Sequence, residues 1–309
     1  MHRSRGAITS DEIEKLVGDA TVVGKVISGG QKAVVPVEVK GTRLALKIVF
    51  LPTEDESSPT PDDSATAPPF EEITERARRE VRILSQVQIP QLARTGPIPL
   101  GEGVLTGVHV LFYSEEWIDG VDLSAILKGQ GKLQPAEVTR LGIDVCAAIS
   151  WLWENSKVHR DIKPANIMRR RDGTFVLLDL GFALDLRDRS LTSSGFVVGT
   201  PRYFSPEHLD LMKKRNMDFR SDMYCLGVTM YEVATGRHPF YNRGMGEREV
   251  LECVLKQSPI PPSGIVAGFP DNISDVIMRM IAKFPHLRYQ SCDKLREALI
   301  ATGASGSGR

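Results

Sequence analysis

No stretch of this chain approaches the roughly 18 consecutive apolar residues that a membrane-spanning helix needs. The start carries His2, Arg3 and Arg5, but no apolar core follows them, so a secretory signal is not expected either. Net charge is missing too: 39 Lys and Arg balance 39 Asp and Glu. That balance removes any bulk electrostatic case for nucleic acid or an anionic membrane as partner. Cysteine is scarce. Cys146, Cys225, Cys253 and Cys292 form no C-x-x-C pair, so reduced, isolated thiols are expected rather than zinc sites or disulfides. There is no internal repeat. These absences leave a soluble, cytoplasmic globular protein, and 309 residues at 41% hydrophobic suffice for two domains, or one domain of two lobes.

What is present changes character along the chain. Thr21–Ile27, Val34–Val39 and Leu44–Phe50 are rich in β-branched residues and punctuated by Gly29-Gly30 and Gly41, which reads as an antiparallel sheet. Pro36 fits such a sheet only at an edge or strand end. Residues 52–69 hold five prolines and five acidic residues with no Lys or Arg, the composition of a disordered loop. From Phe70 the pattern becomes helical, with Ile73, Ala77, Leu84 and Val87 on one stripe. Glu80 lies on that same stripe. A carboxylate on an inward face requires a partner. Val108–Tyr113 is a further strand, Leu133–Trp153 a long amphipathic helix, and Thr174–Asp179 a buried strand. Asp222–Ala234 is apolar nearly all round and is stopped by Gly236, which predicts a helix through the middle of a core. Strands early and helices late make an α+β, two-lobed arrangement. The expected divisions are a flexible arm at 1–10, a first lobe at 11–118, a second lobe at 119–302 and a flexible tail at 303–309.

One segment carries most of the chemical information: His159-Arg160-Asp161-Ile162-Lys163-Pro164-Ala165-Asn166. It resembles the catalytic loop of protein kinases, H-R-D-x-K-x-x-N. Asp179-Leu180-Gly181 follows 18 residues after Asp161 and resembles the metal-binding D-F-G, with Leu for Phe. Ala45-Leu46-Lys47 resembles the V-A-I-K element, whose family partner is a glutamate on the next helix, here Glu80. Gly199-Thr200-Pro201-Arg202-Tyr203-Phe204-Ser205-Pro206-Glu207 resembles the end of an activation segment. Together these identify the chain as similar to the eukaryotic-like serine/threonine protein kinases, in the compact form found in bacteria, over about Thr21 to Ala301.

The resemblance implies a bilobal kinase-like fold, with an antiparallel sheet and one helix in the first lobe and a mainly helical second lobe. It implies ATP and Mg²⁺ as cofactors and a protein Ser or Thr hydroxyl as acceptor. Asp161 is then the catalytic base and Lys163 neutralises the γ-phosphate. Asn166 and Asp179 ligate the metal, and Lys47, held by Glu80, binds the α- and β-phosphates. The nucleotide is expected against Gly29, Gly30, Val34, Ala45 and Met168, with the backbone of Glu116 and Ile118 on the adenine edge and Asp122 on the ribose. The glycine loop departs most from the family: Ile27 and Lys32 replace the outer two glycines, and Lys32 offers an extra phosphate contact. Glu115 falls behind the adenine, where an apolar residue or Thr is usual, and is expected to point away. Thr200, Glu207, Asp222 and Arg288 have structural roles. Arg160 before the catalytic Asp implies control by phosphorylation, with Thr192, Ser193 and Ser194 as candidate sites. Two rival readings share the motifs: a kinase-like binding module without transfer, and a small-molecule phosphotransferase. The full set of ionic residues argues against the first, and Lys163 with the 199–207 segment against the second.

Overall fold

Thr9 opens the first element. Its hydroxyl accepts the Glu12 N–H, and the Glu12 carboxylate accepts the Thr9 N–H in return, a capping box for helix α1 (Ser10–Val17). The sequence reading places an unstructured arm and then strands here, so this helix is a correction, and T-x-x-E was its signal. The computed structural model describes residues 8–28, 32–51, 70–181, 183–185, 201–209 and 217–304. Gly29, Gly30, the acidic stretch 52–69, Thr192, Ser193, Ser194 and Thr200 lie outside the described residues, as do 1–7 and 305–309.

The chain divides into two units, Met1–Gln88 with Ala93–Ile118, and Ile89–Leu92 with Asp119–Arg309. The first holds strands β1 (Thr21–Val22), β2 (Ile27–Ser28), β3 (Lys32–Val39) and β4 (Thr42–Phe50), helix α2 (Phe70–Leu84), and strands β5 (Gly101–Leu105) and β6 (Val108–Glu116). They form one antiparallel sheet in the order β1-β3-β4-β6-β5, with β2 also on β3. Alternate residues face opposite ways along a strand. Ala33, Val35 and Val37 of β3, Leu44, Leu46, Ile48 and Phe50 of β4, and Val110 of β6 therefore build one aliphatic core, against which Ile13 of α1 packs. The intervening positions Ala45, Lys47, Tyr113 and Glu115 share the other face.

Pro36 lies inside β3, not at its end. Its carbonyl accepts the Val23 N–H, so its ring nitrogen faces the same side, where the chain between β1 and β2 is not a strand. The ladder bond that proline cannot donate is not required there.

The second unit begins with Ile89–Leu92, because Leu177 N–H donates to the Gln91 carbonyl (2.9 Å) and Leu92 bridges Leu177 in parallel. It continues with β7 (Gly120–Asp122), α3 (Leu123–Gly129), α4 (Pro135–Glu154), β8 (Lys157–Val158), β9 (Ile167–Arg170), β10 (Phe175–Leu177) and β11 (Leu184–Asp185). Helices α5 (Pro206–Leu209), α6 (Phe219–Thr235), α7 (Glu247–Lys256), α8 (Pro262–Ile265), α9 (Asp271–Met280) and α10 (Cys292–Ala304) complete it. Val138, Leu141, Val145, Ile149 and Leu152 form the buried stripe of α4, which packs on α6 and α10. Helix α6 is buried almost throughout and ends on Gly236 in the left-handed region (φ 72°), a conformation that costs glycine little. Two small sheets, β7-β9-β10 and β8-β11, anchor the segments that carry the kinase-like motifs. The connection from β8 to β9 and the connection from β10 to β11 each leave one of these sheets and enter the other.

Candidate active site

The loop after β8 is built around Asp222, near the start of α6. Its two carboxylate oxygens accept the backbone N–H groups of His159 (2.7 Å) and Arg160 (2.8 Å). Burial pushes this carboxyl up, opposed by His159 and by those same backbone bonds. Arg160 has φ 71°, a region that non-glycine residues rarely occupy. The two bonds to Asp222 hold the chain in that conformation. His159 Nδ1 then accepts the Asp161 N–H (3.2 Å), which leaves Nε2 protonated toward the Leu178 carbonyl (3.1 Å).

The Asp161 carboxylate is buried and held from two sides. Lys163 Nζ lies 3.0 and 2.7 Å from its oxygens. Asn166 Nδ2 donates to Asp161 Oδ2 (2.9 Å) and to its backbone carbonyl (2.8 Å). With its amide nitrogen committed to Asp161, the Asn166 side-chain oxygen faces the opposite way. The Leu178 N–H donates to the Asn166 carbonyl (2.8 Å), so the backbone next to Asp179 runs beside Asn166. Asp179 has φ 59°, and its Oδ1 accepts the Gly181 N–H (3.2 Å). An amide oxygen and a carboxylate on adjoining backbones are hard oxygen donors, few in number. That complement fits Mg²⁺, which keeps several waters and takes its remaining ligands from substrate phosphates.

A second ionic group lies in the other unit. Lys47 Nζ is 3.0 Å from Glu80 Oε1, and Glu80 Oε2 is 3.3 Å from Lys32 Nζ. Glu80 is 1% exposed, so α2 carries its carboxylate into the interior, and two lysines partner it. Lys32, expected as an extra phosphate contact, is paired with Glu80 while its side chain stays 32% exposed. Glu115 is the clearest departure from expectation. It does not point away: it is buried, and its Oε1 lies 2.5 Å from Lys47 Nζ. The cause is strand register. Lys47 pairs with Tyr113 and Ala45 with Glu115, so Glu115 is the diagonal same-face neighbour of Lys47 across the ladder.

Val34 of β3 pairs with Lys47 and is half-buried, as is Ala45. Glu116 N–H donates to the Arg94 carbonyl, and its carboxylate pairs with Arg94 (2.9 Å). Ile118 is buried. Asp122 caps α3, its Oδ1 accepting the Ala125 N–H (2.9 Å), and pairs in register with Met168 of β9. Glu207 of α5 forms a two-pronged pair with Arg288 (2.6 and 2.9 Å), and Ser221 adds a third bond. Burial pushes the Glu207 carboxyl up, but the bonds and charge of Arg288 outweigh it and hold the group at about 2.

The family model for the protein kinase domain matches residues 30–300. The chain belongs to the protein kinase domain family. Among similar proteins, serine/threonine-protein kinase PknB of Mycobacterium tuberculosis is 32% identical over 227 residues, 73% of this chain and 35% of that protein. PknB of Mycobacterium leprae is 31% identical over 226 residues, with the same shares covered. A protein of Clostridium perfringens named a probable serine/threonine-protein kinase is 29% identical over 227 residues, 73% of this chain and 31% of its own length. The chain thus spans about a third of the length of these relatives. The antiparallel sheet with α2 in one unit and the mainly helical second unit are the two lobes of the kinase fold. Protein kinases use ATP and Mg²⁺. Among the described residues no helix is long and apolar enough to cross a membrane.

Proposed function

We propose that this kinase domain transfers the γ-phosphoryl group of ATP to a Ser or Thr hydroxyl of a protein. The observation that carries the reading is the Asp161 carboxylate, buried yet bound by Lys163 on one side and Asn166 on the other. Phosphoryl transfer asks the protein for positioning and charge compensation more than for covalent chemistry. Asp161 accepts the proton of the attacking hydroxyl and aims its oxygen. Lys163, already on Asp161, offsets negative charge on the transferred group. Lys47, steadied by Glu80, binds the α- and β-phosphates. Asn166 and Asp179 would hold Mg²⁺, which when bound draws charge from the phosphates.

Val34, Ala45 and Met168 supply apolar contact to the adenine, and backbone groups of Glu116 and Ile118, its hydrogen bonds. The Asp122 oxygen not used in capping α3 serves the ribose. Gly29 and Gly30 cover the phosphates. The acceptor is a protein, the working compartment the cytoplasm, and nucleic acid is not a partner. Thr192, Ser193 or Ser194 accepts phosphate from the enzyme itself, and Arg160 pairs with it.

The test is incubation of the purified chain with labelled ATP and Mg²⁺ beside Asp161→Ala, with phosphate mapped by mass spectrometry. Phosphate on Ser or Thr in the wild-type reaction alone is the expected result. No transfer to the chain itself or to a generic protein acceptor would overturn the reading.

A further inference from the structure

As a phosphate ligand Lys47 needs one carboxylate partner, and the structure provides two. Lys32, Glu80, Lys47 and Glu115 form a continuous chain of contacts on the sheet face opposite the aliphatic core, at 3.3, 3.0 and 2.5 Å. Lys47, Glu80 and Glu115 are all buried, whereas the Lys32 side chain is 32% exposed. The four side chains carry two charges of each sign. Lys47 thus donates to Glu80 and lies in ionic contact with a second carboxylate, Glu115.

We propose that Glu115 sets the affinity of this protein for the phosphates of a nucleotide by competing with them for Lys47. The proposal rests on the reading of Lys47 as a phosphate ligand. A phosphate that reaches Lys47 must displace Glu115 from it, or share the ammonium with two carboxylates. The cluster it meets is neutral rather than cationic. Charges interact strongly where water is excluded, so the second carboxylate weakens the attraction that Lys47 would otherwise exert. Removing the Glu115 charge leaves these four side chains with a net positive charge. Gln in its place keeps the shape and removes only the charge.

The expected effect is therefore specific to phosphate. Glu115→Gln and Glu115→Met bind Mg·ATP and Mg·ADP about tenfold more tightly than wild type, while the affinity for adenosine, which has no phosphate, stays the same. Isothermal titration calorimetry with these three ligands on wild type and both variants makes the comparison, with thermal melting to verify that each variant is folded. Unchanged ATP affinity in both folded variants overturns the role of Glu115 and leaves the kinase reading standing. An equal gain for adenosine does the same, because it would mean Glu115 acts on the base. Binding of no nucleotide by wild type and variants alike overturns both.

Discussion

Asp161 receives its geometry from buried polar neighbours: Asp222 fixes the backbone of His159 and Arg160, and His159 fixes the Asp161 N–H. Asp161→Ala is expected to lower turnover by about 10²–10⁴-fold, the usual worth of a positioned general base, with ATP affinity little changed. Steady-state kinetics beside nucleotide titration checks both halves. Asp179→Asn is expected to abolish transfer through lost Mg²⁺ binding while the melting temperature stays near that of wild type. Unchanged turnover at any Mg²⁺ concentration would contradict the assignment. That Asp161, Lys163 and Asn166 lie together could be read from the sequence because they fall within six consecutive residues, a span short enough for one loop to bring them into contact. Glu115 was misread because its partner lies in another strand, and only the alternation of β6 relative to β4 reveals which face it occupies.

Elements are joined in the second unit by a few buried polar links. Arg288, just before α10, is 0% exposed. It binds Glu207 of α5 and also donates to the carbonyls of Arg220, Ala282 and Lys283. Breaking a buried pair from one side leaves an uncompensated charge, so Glu207→Ala is expected to cost about 3–5 kcal/mol of stability, measured by urea denaturation. The double variant with Arg288→Met should lose less than the sum of the single losses. In the first unit α1 precedes the residues matched to the family, yet Ile13 is fully buried in the sheet core. Ile13→Ala is expected to destabilise by about 2–5 kcal/mol, which the same denaturation would show. Helices α2 and α4 could be read from their apolar stripes, and α6 from a nearly all-round apolar run stopped by Gly236. Helix α1, of eight residues, offered only its cap.

For the whole molecule, two buried groups among the described residues, His238 and Glu207, weaken the fold toward acid, while the raised carboxyls of Asp222 and Glu232 act in the opposite sense. Burial, then the charge of Arg202, lowers the His238 imidazole to about 3, and its Nδ1 accepts the Phe240 N–H. Glu207 stands at about 2. Both folded values lie below the unfolded ones, so the unfolded chain binds more protons in between and stability falls as pH falls. His238 acts from about pH 6.5 down to about 3, and Glu207 from about 4.5 to about 2. The melting temperature of wild type is therefore expected to fall more steeply from about pH 6.5 to about pH 4.5 than that of His238→Phe. Identical profiles of wild type and His238→Phe between pH 6.5 and 4.5 would contradict the buried neutral imidazole.

The amino-acid sequence alone determined the family, the α+β class, and the order of the kinase-like motifs, because each motif is short and specific in residue type. It also signalled through Glu80 that a buried carboxylate needed a cation. Tertiary structure alone decided how the charges combine. Lys32, Lys47, Glu80 and Glu115 come from two strands, a helix and a third strand, and meet only because strand register and helix packing put them on one face. A one-residue shift in register would turn Glu115 to the opposite face, and nothing within β6 itself states which register β4 will take.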